Sequence, residues 1–99
     1  MRKNALLSLV FCAAATAFAQ DLRTQPVATG LNHPWAVAFL PEGRFLVTER
    51  PGRMRIIEAD GRAGAPLAGV PEVVAQSQGG LLDVVTDTDF AQTREIFFC

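Results

Sequence analysis

Short apolar runs, separated by turn residues, fill the chain from residue 35 onward. Residues 35–40, 45–49 and 54–58 are each of strand length and rich in apolar and β-branched side chains, and turns containing glycine or proline lie between them. Helical periodicity over a dozen residues is absent from the pattern of residues 20–99. The pattern therefore predicts an all-β fold.

Three more strands are predicted at residues 73–75, 81–86 and 95–99. Strands at this spacing indicate a sandwich, a barrel or a propeller. The first four predicted strands occupy about 40 residues, the size of one propeller blade, and the next two begin a second blade. Because a closed ring needs about 4–8 blades, we expect one to two blades of an incomplete β-propeller. The last strand runs to Cys99 without a turn, so we also expect a truncated piece of a longer protein.

The first part of the chain has the layout of a secretory leader. Arg2 and Lys3 precede an apolar stretch over residues 6–18, and Ala17-Phe18-Ala19 offers a cleavage site after Ala19. The apolar stretch is shorter than the roughly 20 residues that span a bilayer. The sequence thus predicts a signal peptide over residues 1–19, export to the periplasm without a stable membrane anchor, and a mature segment over residues 20–99. The alternative is an N-terminal core helix.

Two cysteines bear on this leader. Cys12 offers lipid attachment as an alternative, which is disfavoured because the bulky Phe11 precedes it and the apolar stretch continues past it. Cleavage after Ala19 removes Cys12 and leaves Cys99 alone, so an internal disulfide is excluded from the mature segment.

Charge excludes some partners. Residues 20–99 hold seven arginines, no lysine and ten acidic residues, which gives a formal charge of −3. The arginines are scattered among acids rather than clustered on one stripe. We therefore expect no nucleic-acid partner and no polybasic membrane-binding patch.

Several short motifs in a fixed order resemble one known family. These motifs are GLNHPWAVAFLP (30–41), LVTER (46–50), LAGVP (67–71), QGGLLDV (78–84), DF (89–90) and IFF (96–98). In this order and spacing the chain resembles the N-terminal part of the soluble, pyrroloquinoline-quinone (PQQ)-dependent aldose sugar dehydrogenases of the glucose/sorbosone dehydrogenase family.

The resemblance implies a six-bladed propeller in the periplasm that binds PQQ together with calcium. It implies oxidation of the anomeric hydroxyl of an aldose to a lactone, with the electrons passed from PQQ to a further acceptor. A family histidine serves as general base, because a neutral imidazole accepts a proton near neutral pH. That histidine, the calcium ligands and the basic residues that hold the cofactor belong to later blades, so no catalytic and no metal-binding residue is assigned within this chain.

One pocket residue of the family has a counterpart here. Gln78 matches the family glutamine that lines the substrate and cofactor pocket. An amide suits this place because it both donates and accepts hydrogen bonds. Gly79 and Gly80 would let the backbone approach a ligand closely. The competing interpretation of Gln78 is an ordinary turn residue.

Other polar and aromatic residues are assigned structural roles. His33 is the sole histidine, and it lies where family members also carry lysine, which favours loop packing over catalysis. For Trp35 we favour core packing over ligand stacking, and for Asp83 a structural role on its strand. Asp87 and Asp89 are spaced like turn acids, and the twelve-residue calcium loop that would make them ligands is absent.

A cluster of arginines flanks the turn at Pro51-Gly52. The alternation of these arginines with acids predicts a solvated hairpin whose ion pairs involve Glu49 and Glu58. The arginines are Arg50, Arg53 and Arg55.

Two alternatives to a dehydrogenase stay open. A propeller scaffold also serves non-catalytic binding proteins, because fold does not fix function. The chain could also be the whole product of a disrupted gene, in which case we expect an inactive and poorly soluble protein because strand edges stay unpaired.

Overall fold

The computed structural model describes residues 20–99, so the predicted signal peptide and Cys12 lie outside the described residues. Five strands, one short α-helix and one 3-10 turn are present in this part of the chain. Their bounds are β1 Pro34–Phe39, the 3-10 turn Pro41–Gly43, β2 Phe45–Glu49, β3 Arg53–Ile57, β4 Val84–Thr86, α1 Phe90–Thr93 and β5 Ile96–Phe98.

Strand β2 is the centre of an antiparallel sheet with the order β1-β2-β3. Its pairing with β3 is in continuous register from Phe45 opposite Ile57 to Glu49 opposite Arg53. The first, second and third predicted strands are therefore confirmed to within a residue or two at each end. Their β-branched and aromatic residues suit a half-buried pleated surface.

An irregularity interrupts the pairing of β1 with β2. The register shifts between Pro34 and Val37, as in a β-bulge. Within this stretch the Ala36 backbone N–H donates a hydrogen bond to Thr48 Oγ1 over 3.1 Å. A side chain of β2 therefore satisfies a backbone donor where the ladder is irregular.

Strands β4 and β5 form a separate antiparallel pair. Helix α1 connects them, and Arg94, the residue that follows the helix, has the left-handed backbone conformation with φ of 56°. In the connection, Asp87 Oδ2 accepts hydrogen bonds from the Asp89 N–H (3.2 Å) and from Thr93 Oγ1 (2.8 Å). This confirms the turn role predicted for Asp87.

The hydrophobic core lies between the three-stranded sheet and the β4–β5 pair. Its buried members come from both parts and from the loop before β4: Ala38, Leu46, Met54, Leu81 and Val84. Leu46 and Met54 face the core from neighbouring strands, and Leu81 is fully buried although it belongs to no strand. The loop before β4 is thus part of the core and is held by packing.

The predicted strand at residues 73–75 is wrong, because these residues have no regular structure. Residues 64–67 hydrogen-bond to the outer edge of β3 instead. The Gly64 N–H donates to Ile56 O over 2.8 Å, and the Leu67 N–H donates to Met54 O over 2.9 Å. A bridge between Ile57 and Ala63 begins this contact. The carbonyl acceptors of Met54 and Ile56 at this edge are therefore already occupied by residues 64–67, and a later strand does not pair there.

The opposite face of the sheet is open in the described part of the chain. Val37 is 52 % exposed and Phe39 is 76 % exposed, and Phe39 makes an edge-to-face contact with Phe45 at a centroid distance of 5.6 Å. Trp35 is 55 % exposed, so the core packing expected for it is not observed. No helix within residues 20–99 is long and apolar enough to cross a membrane.

Candidate functional site

The C-terminal end of β2 carries two buried polar side chains, Thr48 and Glu49. Thr48 Oγ1 donates to Leu82 O over 2.6 Å and accepts from the Ala36 N–H. This hydroxyl therefore joins β1, β2 and the loop that precedes β4. Buried polar groups with such complete pairing fix the relative position of the segments that they connect.

The Glu49 carboxylate is the centre of an ion-pair network. Its Oε1 lies 2.8 Å from Arg55 Nε and 3.1 Å from Arg53 Nε, and only the Arg55 contact is a directed hydrogen bond. Its Oε2 accepts a bond from the Asn32 backbone N–H. Glu49 itself is fully buried.

The surroundings of Glu49 have opposing effects on its pKa. Burial acts to raise the pKa, whereas the Asn32 N–H bond and the two guanidinium groups lower it, and the net result is a pKa below the ordinary value. The carboxylate is thus stable in its charged form.

The predicted ion pairs with Glu49 are confirmed for Arg53 and Arg55, whereas the solvated setting predicted for the cluster is wrong for Glu49, which is buried. Arg55 also donates from Nη1 to Gly64 O over 3.1 Å, which ties the network to the segment along β3. The three arginines therefore do not act together. Arg53 and Arg55 pair with Glu49, whereas the side chain of Arg50 bonds the loop at residues 77–79.

Arg50 contacts the loop that contains Gln78. Its Nε donates to Gly79 O over 3.0 Å, and its Nη2 donates to Ser77 O. Its backbone C=O accepts from the Leu81 N–H over 2.9 Å, and its backbone N–H donates to His33 O over 3.0 Å. Arg50 therefore connects the end of β2 to both sides of Gln78.

Gly80 is required for this contact. Its φ is +147°, and a Cβ at this position would lie 2.6 Å from both the backbone oxygen and Cγ of Arg50. Any larger residue would push the loop away from Arg50. The backbone approach expected at Gly80 is thus made toward Arg50, within the chain.

Gln78 lies at the exposed tip of this loop. Among residues 20–99 its side-chain amide makes no hydrogen bond, whereas the backbone oxygens of its two neighbours accept from Arg50. The neighbouring Ser77 has a φ of 50°, a conformation that side chains adopt at a cost. Nothing in this geometry tests whether Gln78 contacts a ligand, and its pocket role stays a prediction.

His33 and the acidic residues do not converge on Gln78. His33 Nδ1 lies within hydrogen-bond distance of Asn32 Oδ1, and its backbone oxygen receives the Arg50 N–H, a loop-packing position. Within residues 20–99, no three side chains of His, Cys, Asp or Glu lie close enough together to hold a metal ion.

An open groove of about 330 Å³ lies on the exposed face of the sheet, away from Gln78. Its walls are apolar side chains, among them Val27, Val37, Phe39, Phe45 and Ile57. Without polar groups to orient a substrate, the groove has the character of a packing surface rather than of a reaction site.

Sequence reasoning missed the burial of Thr48 and Glu49 and the loop contacts of Arg50. The signal for Glu49 was its place at the end of a largely apolar strand, with Arg53 and Arg55 four and six positions later in the sequence. Arg50 carried no comparable signal, because its contact residues lie 27 and 29 positions later in the chain.

Known proteins are similar to this chain in sequence and in fold. A family model described as Glucose / Sorbosone dehydrogenase matches residues 31–99. The aldose sugar dehydrogenase YliI of Escherichia coli K12 is 46 % identical over 93 residues, which cover 93 % of this chain and 24 % of that protein. The chain thus spans about a quarter of the length of this relative.

Two solved structures share the fold. The apo form of the soluble aldose sugar dehydrogenase from Escherichia coli has a TM-score of 0.65 at 54 % identity, covering 69 % of this chain and 20 % of that one. The PQQ-bound aldose sugar dehydrogenase from Streptomyces coelicolor has a TM-score of 0.68 at 37 % identity, covering 75 % and 22 %.

These matches confirm the predicted fold class. The sheet and the following strand pair correspond to the N-terminal part of a β-propeller and cover only part of it. The family match begins at Leu31 and includes β1 to β5, Arg50 and the Gln78 loop. The chain belongs to the glucose/sorbosone dehydrogenase family.

Proposed function

We propose that this chain is the N-terminal portion of a periplasmic quinoprotein that oxidises the anomeric hydroxyl of aldoses to lactones. PQQ is the proposed electron acceptor, and a further acceptor receives the electrons from it. The observation that carries the proposal is the family match across the Gln78 loop, together with the relative whose structure contains PQQ.

The contribution of this chain to the reaction is one wall of the pocket. When bound, PQQ supplies a two-electron acceptor, and the protein supplies binding and orientation. The free amide of Gln78 fits this use, because it can donate to a quinone or carboxylate oxygen and accept from a sugar hydroxyl. Calcium ligands and the general base are assigned to parts of the family fold that follow Cys99.

We further propose that residues 20–99 alone are inactive. A pocket needs several walls, and the described chain offers Gln78 on an exposed loop with the core on one side only. The exposed apolar face that includes Phe39 would also make the isolated segment poorly soluble.

The first experiment is the intact mass of the native product from a periplasmic extract. We expect a mass several times that of residues 20–99, and recovery from the periplasm would support export with cleavage after Ala19. A mass equal to residues 20–99 would mean that the remaining blades are never made, and the enzymatic proposal would fail for this product.

The second experiment is a dye-linked assay of that product with aldoses, PQQ and calcium. We expect lactone formation that depends on added PQQ. The variant Gln78→Ala should lower kcat/KM by about tenfold or more, because one oriented hydrogen bond is lost, whereas Gln76→Ala two residues away serves as the matched control. Equal activity of the two variants would remove Gln78 from the pocket, and a wild type without PQQ-dependent turnover would indicate a binding propeller.

A further inference from the structure

Arg50 occupies a position that neither the pocket chemistry nor the hydrophobic core accounts for. Its side chain leaves the end of β2 and donates to two backbone oxygens, Gly79 O at 3.0 Å and Ser77 O. These two carbonyls belong to the residues on either side of Gln78. A planar guanidinium is suited to two parallel bonds of this kind, whereas an ammonium is a point donor.

The main chain of Arg50 adds one further bond to the loop. Its C=O accepts from the Leu81 N–H at 2.9 Å, so the loop is held on both sides of Gly80. Leu81 is fully buried, which anchors the C-terminal side of the loop in the core. On the N-terminal side the last core contact is made by the partly buried Val73, Val74 is 73 % exposed, and residues 75–79 are exposed, so this side of the loop is held less firmly.

The loop backbone is also in a conformation that needs support. Ser77 has a φ of 50°, and Gly79 closes a tight turn through its N–H bond to Gln76 O at 2.7 Å. Backbone held in a sparsely populated region persists where surrounding contacts determine it. Arg50 provides those contacts, because its guanidinium bonds the carbonyl of the strained residue itself.

From these contacts we propose that Arg50 is a positioning residue that holds the Gln78 amide in the orientation needed to bind the quinone cofactor. The inference rests on the proposed function for its ligand, while the anchoring itself is a property of this chain. A polar group in a binding site must be held within about 0.5 Å and 10–20° of its working geometry, and a loop meets that requirement only with external support.

The test of anchoring needs no ligand. Amide hydrogen exchange of the native product is measured for the wild type and for Arg50→Lys, Arg50→Met and Arg62→Lys. Arg62 is the matched control, because it is an exposed arginine whose side chain pairs with Asp60 at 3.0 Å, away from the Gln78 loop. We expect exchange in residues 76–81 to rise about tenfold or more in Arg50→Met, with less change in Arg50→Lys and none in Arg62→Lys.

Exchange in residues 45–57 provides the internal reference. Protection there should stay as in the wild type, which shows that β2 and β3 remain folded when the loop is released. Unchanged exchange of residues 76–81 in Arg50→Met overturns the anchoring role. An equal rise across residues 45–57 overturns it as well, because Arg50 would then be a general stabilising residue.

The test of positioning is a titration with PQQ. Arg50→Met should weaken PQQ binding by about tenfold, with a smaller loss for Arg50→Lys, and in the Gln78→Ala background Arg50→Met should have less than about a twofold effect. Equal effects in both backgrounds overturn positioning through Gln78. If the wild type itself does not bind PQQ, the proposed function fails, and the positioning role toward the quinone fails with it, whereas the exchange result for the loop is unaffected.

Discussion

Strand β2 and the β4–β5 pair are both antiparallel β-structure, yet they are held in different ways. β2 has a strand on each side, a buried hydroxyl at Thr48 and a buried carboxylate at Glu49. In the β4–β5 pair, Val84 is buried, while Val85 and Phe97 are more than half exposed. The sequence pattern is similar in both, so the difference teaches that neighbours, rather than local propensity, decide how firmly a strand is held.

The largest expected effect comes from the core beneath β2. Met54→Ala should lower the free energy of unfolding of the native product by about 2–5 kcal/mol, because Met54 is 1 % exposed and its removal leaves a cavity. Val74→Ala, at a position that is 73 % exposed, is the control and should change it by less than about 0.5 kcal/mol. Urea unfolding measures both, and similar costs would mean that the core lies elsewhere.

Next in size is the ion-pair network. Glu49→Gln should cost about 3 kcal/mol, because it leaves two arginines beside a buried position without their counter-charge. Asp83→Asn, an exposed carboxylate on the way into β4, is the matched control with little expected effect. If both variants unfold at the same urea concentration, the network has no net stabilising role.

The pH dependence of stability sharpens this result. The pKa of Glu49 is lowered in the folded state, so its contribution is present above the unfolded value of about 4.5 and is lost as the pH falls through the lower, folded pKa. We expect Tm of the wild type to fall more steeply than that of Glu49→Gln as the pH is lowered below about 4.5. Parallel curves would show that other carboxylates control the acid transition.

The smallest expected effects test the β4–β5 pair directly. Val84→Ala should cost about 2 kcal/mol, because Val84 is 4 % exposed, whereas Val85→Ala at 57 % exposure should cost less than about 0.5 kcal/mol. The two variants remove the same atoms from adjacent residues of one strand. Equal costs in the native product would show that a part of the protein outside residues 20–99 covers Val85.

Local sequence features were sufficient for most of the strands. The predicted bounds of β2, residues 45–49, are the observed ones, since turns on both sides delimit the strand. The strand at 73–75 failed, because residues 63–67 take the edge of β3 that it would have needed. The core packing expected for Trp35 failed as well, since its side chain stays 55 % exposed within the described residues.

In the candidate site, too, one feature was predicted from the sequence and another was not. Gln78 was selected from the family motif alone, and its place at an exposed tip agrees with a ligand-facing role without testing it. The support of that tip by Arg50 was invisible in the sequence, where the arginine reads as one of three in a basic hairpin.

The sequence by itself determined the family, the all-β class and the position of the central hairpin, because these depend on motif order, side-chain period and turn residues within a few positions of each other. The tertiary structure decided that Glu49 is a buried ion-pair centre and that Arg50 turns toward the Gln78 loop. The physical reason is that burial and hydrogen-bond partners depend on segments that are distant in the chain, and only folding brings those segments together.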